Sequence, residues 1–353
     1  MSAEAESVGA KAAGGRSRGW RRGCLISIVT LIVLFLLGEA AFRIFPIDRQ
    51  LDYEFDEELY WRLKPDQAGY LWMGGGEFHS PPIRIDSRGF RSSGRAAIEG
   101  DGAEARVLLL GDSYTFGLGV EDDETFCGVV ESRLAGLGVA TDNAGGPGYG
   151  VFQSDARLNR LLASGYTPEF VVLTIPTGDV LRQPFSNDKF EQYRASQKRR
   201  KRLRSVSRMT TFFYRKYVIL KQRQSDGGRA VPNERAGSNE AAFRGMWESD
   251  ERRIREMKAA CDAAGAQLFV LHWAQPGMDE WNEIVAAGIS QLARDAGLIV
   301  LKDLPEQFAN HSLPELIIPG DGHPSALAHR LTGEYLAAEI QLRIKQPNPS
   351  SKN

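Results

Sequence analysis

The chain has 353 residues, 42% hydrophobic and 25% charged, which is enough apolar material for a medium-sized globular core and too much for a disordered chain. Its 44 basic and 45 acidic side chains leave a net charge of −1, so bulk electrostatics offers no drive toward nucleic acid, and no nucleic-acid partner is expected. Three cysteines (24, 127 and 261) and five histidines, none at ligand-like spacing, argue against a disulfide framework or a metal centre; free thiols, no metal and no cofactor are expected.

In chain order, residues 1–22 form a basic tail carrying Arg16, Arg18, Arg21 and Arg22. From Cys24 to about Phe42 the chain is then apolar except for Ser27, Thr30, Gly38 and Glu39, which predicts a transmembrane anchor over 23–43, about the length needed to cross a bilayer. Arginines ahead of the span predict a cytoplasmic N-terminus and a periplasmic or extracellular remainder, a single-pass protein of the cytoplasmic membrane. The competing reading is a signal peptide cleaved near Gly38-Glu39-Ala40; the stretch exceeds most signal cores, so an uncleaved anchor is expected. Cys24 opens the apolar stretch instead of following it, which argues against a lipoprotein signal.

Residues 44–104 form an aromatic-rich lead-in with Trp61, Tyr70, Trp72 and Phe78. Alternation at Ile83 and Ile85 predicts a short strand, and Arg88-Gly89-Phe90-Arg91 a turn with an aromatic anchor. So many rings predict packing on the main domain in preference to a flexible stalk. Residues 96–105 read as a Gly/Ala/acid loop.

The main domain is expected over 105–345. Strands are predicted at 106–110, 138–143, 169–175, 266–272 and 298–302, and helices at about 124–136, 152–164, 240–264, 279–296 and 325–344. Apolar β-branched runs alternating with amphipathic helices predict a parallel sheet covered on both faces, a three-layer α/β/α sandwich of flavodoxin-like type. The alternation stops over about 185–238, where a basic run from Lys198 through Arg199, Arg202 and Arg208 meets Phe212, Phe213, Tyr214 and Tyr217. This insertion is either a solvated helix that packs its rings on the domain, or a lid that lies on anionic headgroups or guides an anionic polymer. Residues 224–239 read as a loop, and 346–353 as a disordered tail.

Functional groups of such folds gather beyond the carboxyl ends of the strands, and three strand ends here carry small or polar residues. The first strand empties into Gly111-Asp112-Ser113-Tyr114, the second into Asn143-Ala144-Gly145-Gly146-Pro147-Gly148, and the third into Thr177-Gly178-Asp179. Far downstream, Asp321-Gly322-His323-Pro324 sets a carboxylate two residues before an imidazole. A serine hydroxyl needs a base to take its proton during attack, and an imidazole with an ordinary pKa near 6.5 suits that task when an acid fixes its tautomer. Alone, Ser113 reads equally well as a helix cap. His272 could line a substrate wall or simply be a satisfied histidine; His329 reads as packing, and Asp122 to Glu124 as a helix cap.

These blocks resemble the SGNH or GDSL family of serine esterases and acyltransferases, over about residues 80–345, with a lead-in similar to bacterial membrane-anchored members. The resemblance implies Ser113 as nucleophile, His323 as base, Asp321 as its orienting acid, and the amides of Ser113 and Gly148 as the oxyanion hole. The family places Asn-Asp after the third strand as a side-chain donor. Here Gly178 stands in that place, so one donor of the implied hole is missing unless Thr177 or a water substitutes, a loss that costs about 100- to 1000-fold and weakens an enzyme without abolishing it. Asn187-Asp188 lies well past that strand end. The implied function is hydrolysis of carboxylic esters through an acyl-serine. The alternatives are transfer or removal of acetyl groups on an extracellular polysaccharide, which for transfer needs a multi-spanning partner as acyl donor, and a degraded domain that binds glycan or protein.

Overall fold

A computed structural model describes residues 6–45, 49–73, 76, 78–93, 103–226, 240–302 and 304–345. The expected tail at 346–353, residues 96–102 of the Gly/Ala/acid loop and residues 227–239 of the loop after the insertion lie outside them. The chain forms two compact units, one from residues 1–48 and 195–218, the other from 49–194 and 219–353.

The smaller unit contains α1 (Glu6–Ile44), the end of α5 (Asn187–Val206) and the start of α6 (Arg208–Asp226). The stretch Trp20–Ile44 of α1 is long and apolar enough to cross a membrane.

The larger unit begins with short antiparallel pairs. Strand β1 (Tyr53–Asp56) pairs with β2 (Tyr60–Leu63), β3 (Gln67–Gly69) with β6 (Ile83–Ile85), and β4 (Trp72–Met73) with β5 (Phe78–His79). The main sheet follows from β7 (Ala105–Leu110), β8 (Val139–Asn143), β9 (Phe170–Pro176), β10 (Gln267–Trp273) and β11 (Ile299–Leu301). Its order is β11-β10-β9-β7-β8 and every pairing is parallel, so all five predicted strands occur and their carboxyl ends share one edge.

The helices are α2 (Ser113–Phe116), α3 (Phe126–Leu134), α4 (Val151–Ala163), α7 (Glu240–Ala263), α8 (Asp279–Ala296), α9 (Leu304–Phe308), α10 (Leu313–Leu316) and α11 (Ala326–Ile344). Side chains alternate across a strand, and β7 shows what that does here. Leu108 and Leu110 join the core made with α4, α7 and α8, through Leu158, Phe243, Ile254 and Val285. Val107 and Leu109 join the opposite core made with α3 and α11, through Phe126, Val130, Leu336 and Ile340. Each such fully buried Leu or Phe contributes about 1.5–3 kcal/mol, which holds the strand ends in place from both faces. Cys261 and Cys127 are buried, one in each core, and Cys24 is exposed on α1; all three are free thiols.

The lead-in shares a third core with the segment after β7, where Leu63, Met73, Ile83 and Ile85 meet Phe116 and Leu118. The Arg91 amide also donates to the Asn143 carbonyl at 3.1 Å, pairing the lead-in with edge strand β8.

Candidate active site

Strand β7 ends at Leu110, and Gly111 makes the turn with φ +149°. A Cβ there would lie 2.3 Å from Thr115 Oγ1 and 2.9 Å from the Thr174 carbonyl, so only glycine fits. Asp112 caps α2 by accepting from the Tyr114 amide at 2.8 Å, which leaves Ser113 as the first helical residue at the strand end.

The Ser113 hydroxyl lies 2.9 Å from His323 Nε2 and 3.2 Å from Asp112 Oδ2. His323 Nδ1 is hydrogen-bonded to Asp321 Oδ1. With Nδ1–H donating to the carboxylate, Nε2 is left as the acceptor for the serine proton. The two-residue spacing works because Gly322 has φ +89° and Gly320 φ +76°, which folds Asp321 back against the imidazole. The loop is pinned by the Ile318 amide donating to the His323 carbonyl at 2.8 Å, and α11 starts with Ser325 as its cap. Asp321 has 7% of its side chain exposed and His323 21%, so the base keeps an open side.

Gly148 sits on the loop between β8 and α4 with φ +82°, and a Cβ there would press on the Trp61 ring at 3.3 Å. The lead-in braces this loop. The Trp61 indole donates to the Pro147 carbonyl at 3.1 Å, and the Tyr149 hydroxyl returns a bond to the Trp61 carbonyl at 2.9 Å. Asn143 Nδ2 donates to the Thr115 carbonyl at 3.0 Å and ties the end of β8 to α2. These contacts fix Gly148 relative to Ser113.

The third strand end differs from expectation. The buried Thr177 hydroxyl donates to Asn282 Oδ1 and meets His272 Nε2 at 2.9 Å, so it is committed to those two groups and drops out of the candidate hole. Burial holds His272 down to about 4, a neutral ring that anchors Thr177. A Cβ on Gly178 would lie 2.7 Å from Gln275 Oε1, and the Gly178 amide donates to that oxygen at 2.5 Å. The Gln275 carboxamide therefore fills the volume a side chain at 178 would take, and its Nε2 donates to the Tyr114 hydroxyl at 3.1 Å. Nothing around Gln275 in the sequence signals this role, because it reaches the third strand end from the loop after β10.

Under the site, Arg182 Nη1 donates to Asp112 Oδ2 at 2.9 Å, to the Tyr149 carbonyl at 3.0 Å and to Asp179. Burial, with the Asp112 carboxylate beside it, pushes Asp179 well above the usual carboxylate range, while Arg182 opposes that shift. One guanidinium thus ties the residue before the nucleophile to both neighbouring loops.

The expected acidic cap of α3 is also revised. Thr125 is its cap, accepting from the Gly128 amide at 3.0 Å. Asp122 is instead paired with Arg91 Nε at 3.0 Å and Arg84 Nε at 3.2 Å. His329 is buried and accepts from the Phe126 amide at 3.3 Å, and burial holds it down to about 3, which makes it a packing residue.

Asp250 on α7 is 1% exposed, with Gln183 Nε2 donating to its Oδ1 at 3.1 Å, and burial pushes it up to about 7. The unfolded chain ionises near 3.8, so between pH 4 and 7 only the folded state holds this proton. Stability is full below that window and is lost as pH rises through it, by about 4 kcal/mol at most. Asp250→Asn is expected to flatten this segment of the stability curve, measured by urea denaturation at pH 4.5 and pH 8. An unchanged slope would assign the pH dependence to other groups.

The profile of the family described as GDSL-like lipase/acylhydrolase matches residues 109–331. Among solved structures, the chain is similar to the psychrotrophic esterase EstA from Pseudoalteromonas sp., at 14% identity and a TM-score of 0.44 over 69% of this chain and 100% of that one. It is similar to a catalytic mutant of the acetylxylan esterase Axe2 from Geobacillus stearothermophilus, at 16% identity and a TM-score of 0.41 over 68% and 95% of the two chains. A member of the lipolytic protein G-D-S-L family from Veillonella parvula DSM 2008 gives 12% identity and a TM-score of 0.43 over 67% and 98%. Comparison with curated proteins gives no match.

Proposed function

The chain belongs to the GDSL-like lipase/acylhydrolase family, and from that membership we propose that it hydrolyses carboxylic esters through an acyl-serine intermediate on Ser113. The observation that carries this reading is the Ser113 Oγ to His323 Nε2 contact of 2.9 Å, on a ring whose other nitrogen is bonded to Asp321. Ser113 Oγ attacks the ester carbonyl as His323 takes its proton. The amides of Ser113 and Gly148 receive the developing oxyanion, and Asp321 holds the ring and stabilises the imidazolium. His323 then gives the proton to the departing alkoxide, and a water activated by the same nitrogen releases the acid.

The arginines in the N-terminal part of α1, before its apolar stretch from Cys24, support a membrane-anchored enzyme whose hydrolase domain faces the periplasm or cell exterior. Substrates are acyl esters or acylated glycans that reach that side. Transfer to a sugar hydroxyl is the alternative fate of the acyl group, and it would require a multi-spanning partner to deliver the donor.

The test is turnover of p-nitrophenyl acetate by the full chain in detergent, with acetate and p-nitrophenolate both counted, alone and with polysaccharide acceptors. Equal release of the two, unchanged by acceptor, supports the hydrolase. Acetate missing from solution and recovered on the sugar would make it a transferase. No turnover by the folded chain would overturn the enzyme reading.

A further inference from the structure

The apolar helix α1 has two anomalies near its end, Gly38 and Glu39, and both meet α6 within the smaller unit. A Cβ on Gly38 would lie 2.8 Å from the Met209 sulfur, so the Met209 side chain in the first turn of α6 packs directly on Gly38. Glu39 is 8% exposed. Its carboxylate accepts from Ser207 Oγ at 2.9 Å, the Arg208 amide at 3.0 Å, the Met209 amide at 3.1 Å and Arg43 Nε at 2.9 Å. A carboxylate inside an apolar span is costly unless paired, and this one is paired by capping the start of a second helix.

The cap sets where α6 starts, at Ser207 to Met209. Glu39 lies five residues before the end of the apolar stretch, about 7.5 Å along the axis, which is just inside the hydrocarbon edge if α1 spans. Phe42, nearer that end, packs on Phe212 and Phe213 at ring separations of 5.1 and 6.3 Å. On α6, Phe213, Tyr214 and Tyr217 remain 59%, 48% and 60% exposed. Residues 195–218 carry nine basic side chains and no acidic one, with Lys198, Arg199, Arg202 and Arg208 exposed. Aromatic rings favour the interface, and each Lys or Arg near an anionic surface is worth about 1 kcal/mol.

We propose that residues 195–218 form an interfacial platform, locked to the anchor by Glu39, that binds the anionic lipid headgroups of the leaflet at the anchor's C-terminal end. This rests on the reading of α1 as a membrane anchor. Phe213, Tyr214 and Tyr217 enter the headgroup layer while the basic side chains collect anionic lipid.

The experiment places a nitroxide at Tyr217→Cys in a Cys24→Ser background, in the full chain in nanodiscs. Collision with an aqueous nickel chelate is compared between pure phosphatidylcholine and a mixture with phosphatidylglycerol. Collision at 217 is expected to fall about tenfold with anionic lipid, a change four surface charges can readily supply. Combined charge reversal at Lys198, Arg199, Arg202 and Arg208 is expected to abolish the fall. Equal collision in both lipids, high or low, overturns the proposal. A second label at Val33→Cys separates the premises: shielded in both lipids, it leaves the anchor standing whatever happens at 217. Exposed to the chelate, it overturns the anchor and the platform together.

Discussion

Ser113→Ala is expected to lower ester turnover by about 10⁴- to 10⁶-fold, because the nucleophile and its base act as one unit. The substitution removes one hydroxyl from a residue 5% exposed, so the fold should be retained. His323→Ala is expected to cost a similar factor, and the double variant no more than either single one. Non-additivity is the informative part. His323 Nε2 is 2.9 Å from the hydroxyl it would deprotonate, and without the serine it has nothing to do. Losses that multiply in the double variant would mean that the two residues act independently. Steady-state kinetics with p-nitrophenyl acetate, alongside thermal melts, checks both points.

Arg91→Ala is expected to destabilise the hydrolase domain by about 3–5 kcal/mol, the usual result of removing one member of a buried ion pair. The Arg91 side chain is fully buried and faces Asp122, with Nε donating to Oδ1 at 3.0 Å. Its Nη1 donates to the Phe116 carbonyl at 3.0 Å and also to the Gly117 carbonyl, and its Nη2 donates to the Val120 carbonyl at 2.6 Å. Alanine strands three carbonyls and leaves Asp122 with Arg84, which is 61% exposed. Lysine should rescue little, since a single ammonium cannot reproduce the guanidinium fork. Because residues 116–120 follow the nucleophile directly, activity should be lost at a lower temperature as well. Unfolding free energies from urea denaturation unchanged within about 0.5 kcal/mol would show that the loop holds itself without Arg91.

Strands β7, β9, β10 and β11 were legible because each is a short apolar run between turn signals, and side-chain alternation along β7 distributes it to both cores. Ser113 was legible because a strand running into Gly-Asp-Ser is a local pattern. The meeting of Asp321 with His323 was not, since two-residue spacing brings the groups together only through the positive φ of Gly322. Long-range partners were the least legible. Arg91 reads locally as part of a turn and Asp122 as a helix cap, yet they pair across 31 residues while Thr125 does the capping. Gln275 sits in no motif, and only the approach of the β10 loop to Gly178 reveals what occupies the third strand end. Glu39 reads as a flaw in an apolar span until its partners at Ser207 to Met209 are known.

The central claim is an activated serine at position 113, and the most direct measurement is fluorophosphonate labelling of the full chain in detergent, with the adduct located by mass spectrometry. The account predicts one adduct, on Ser113, that is lost in His323→Ala. A folded chain that takes no label, or takes it on another serine, would contradict it.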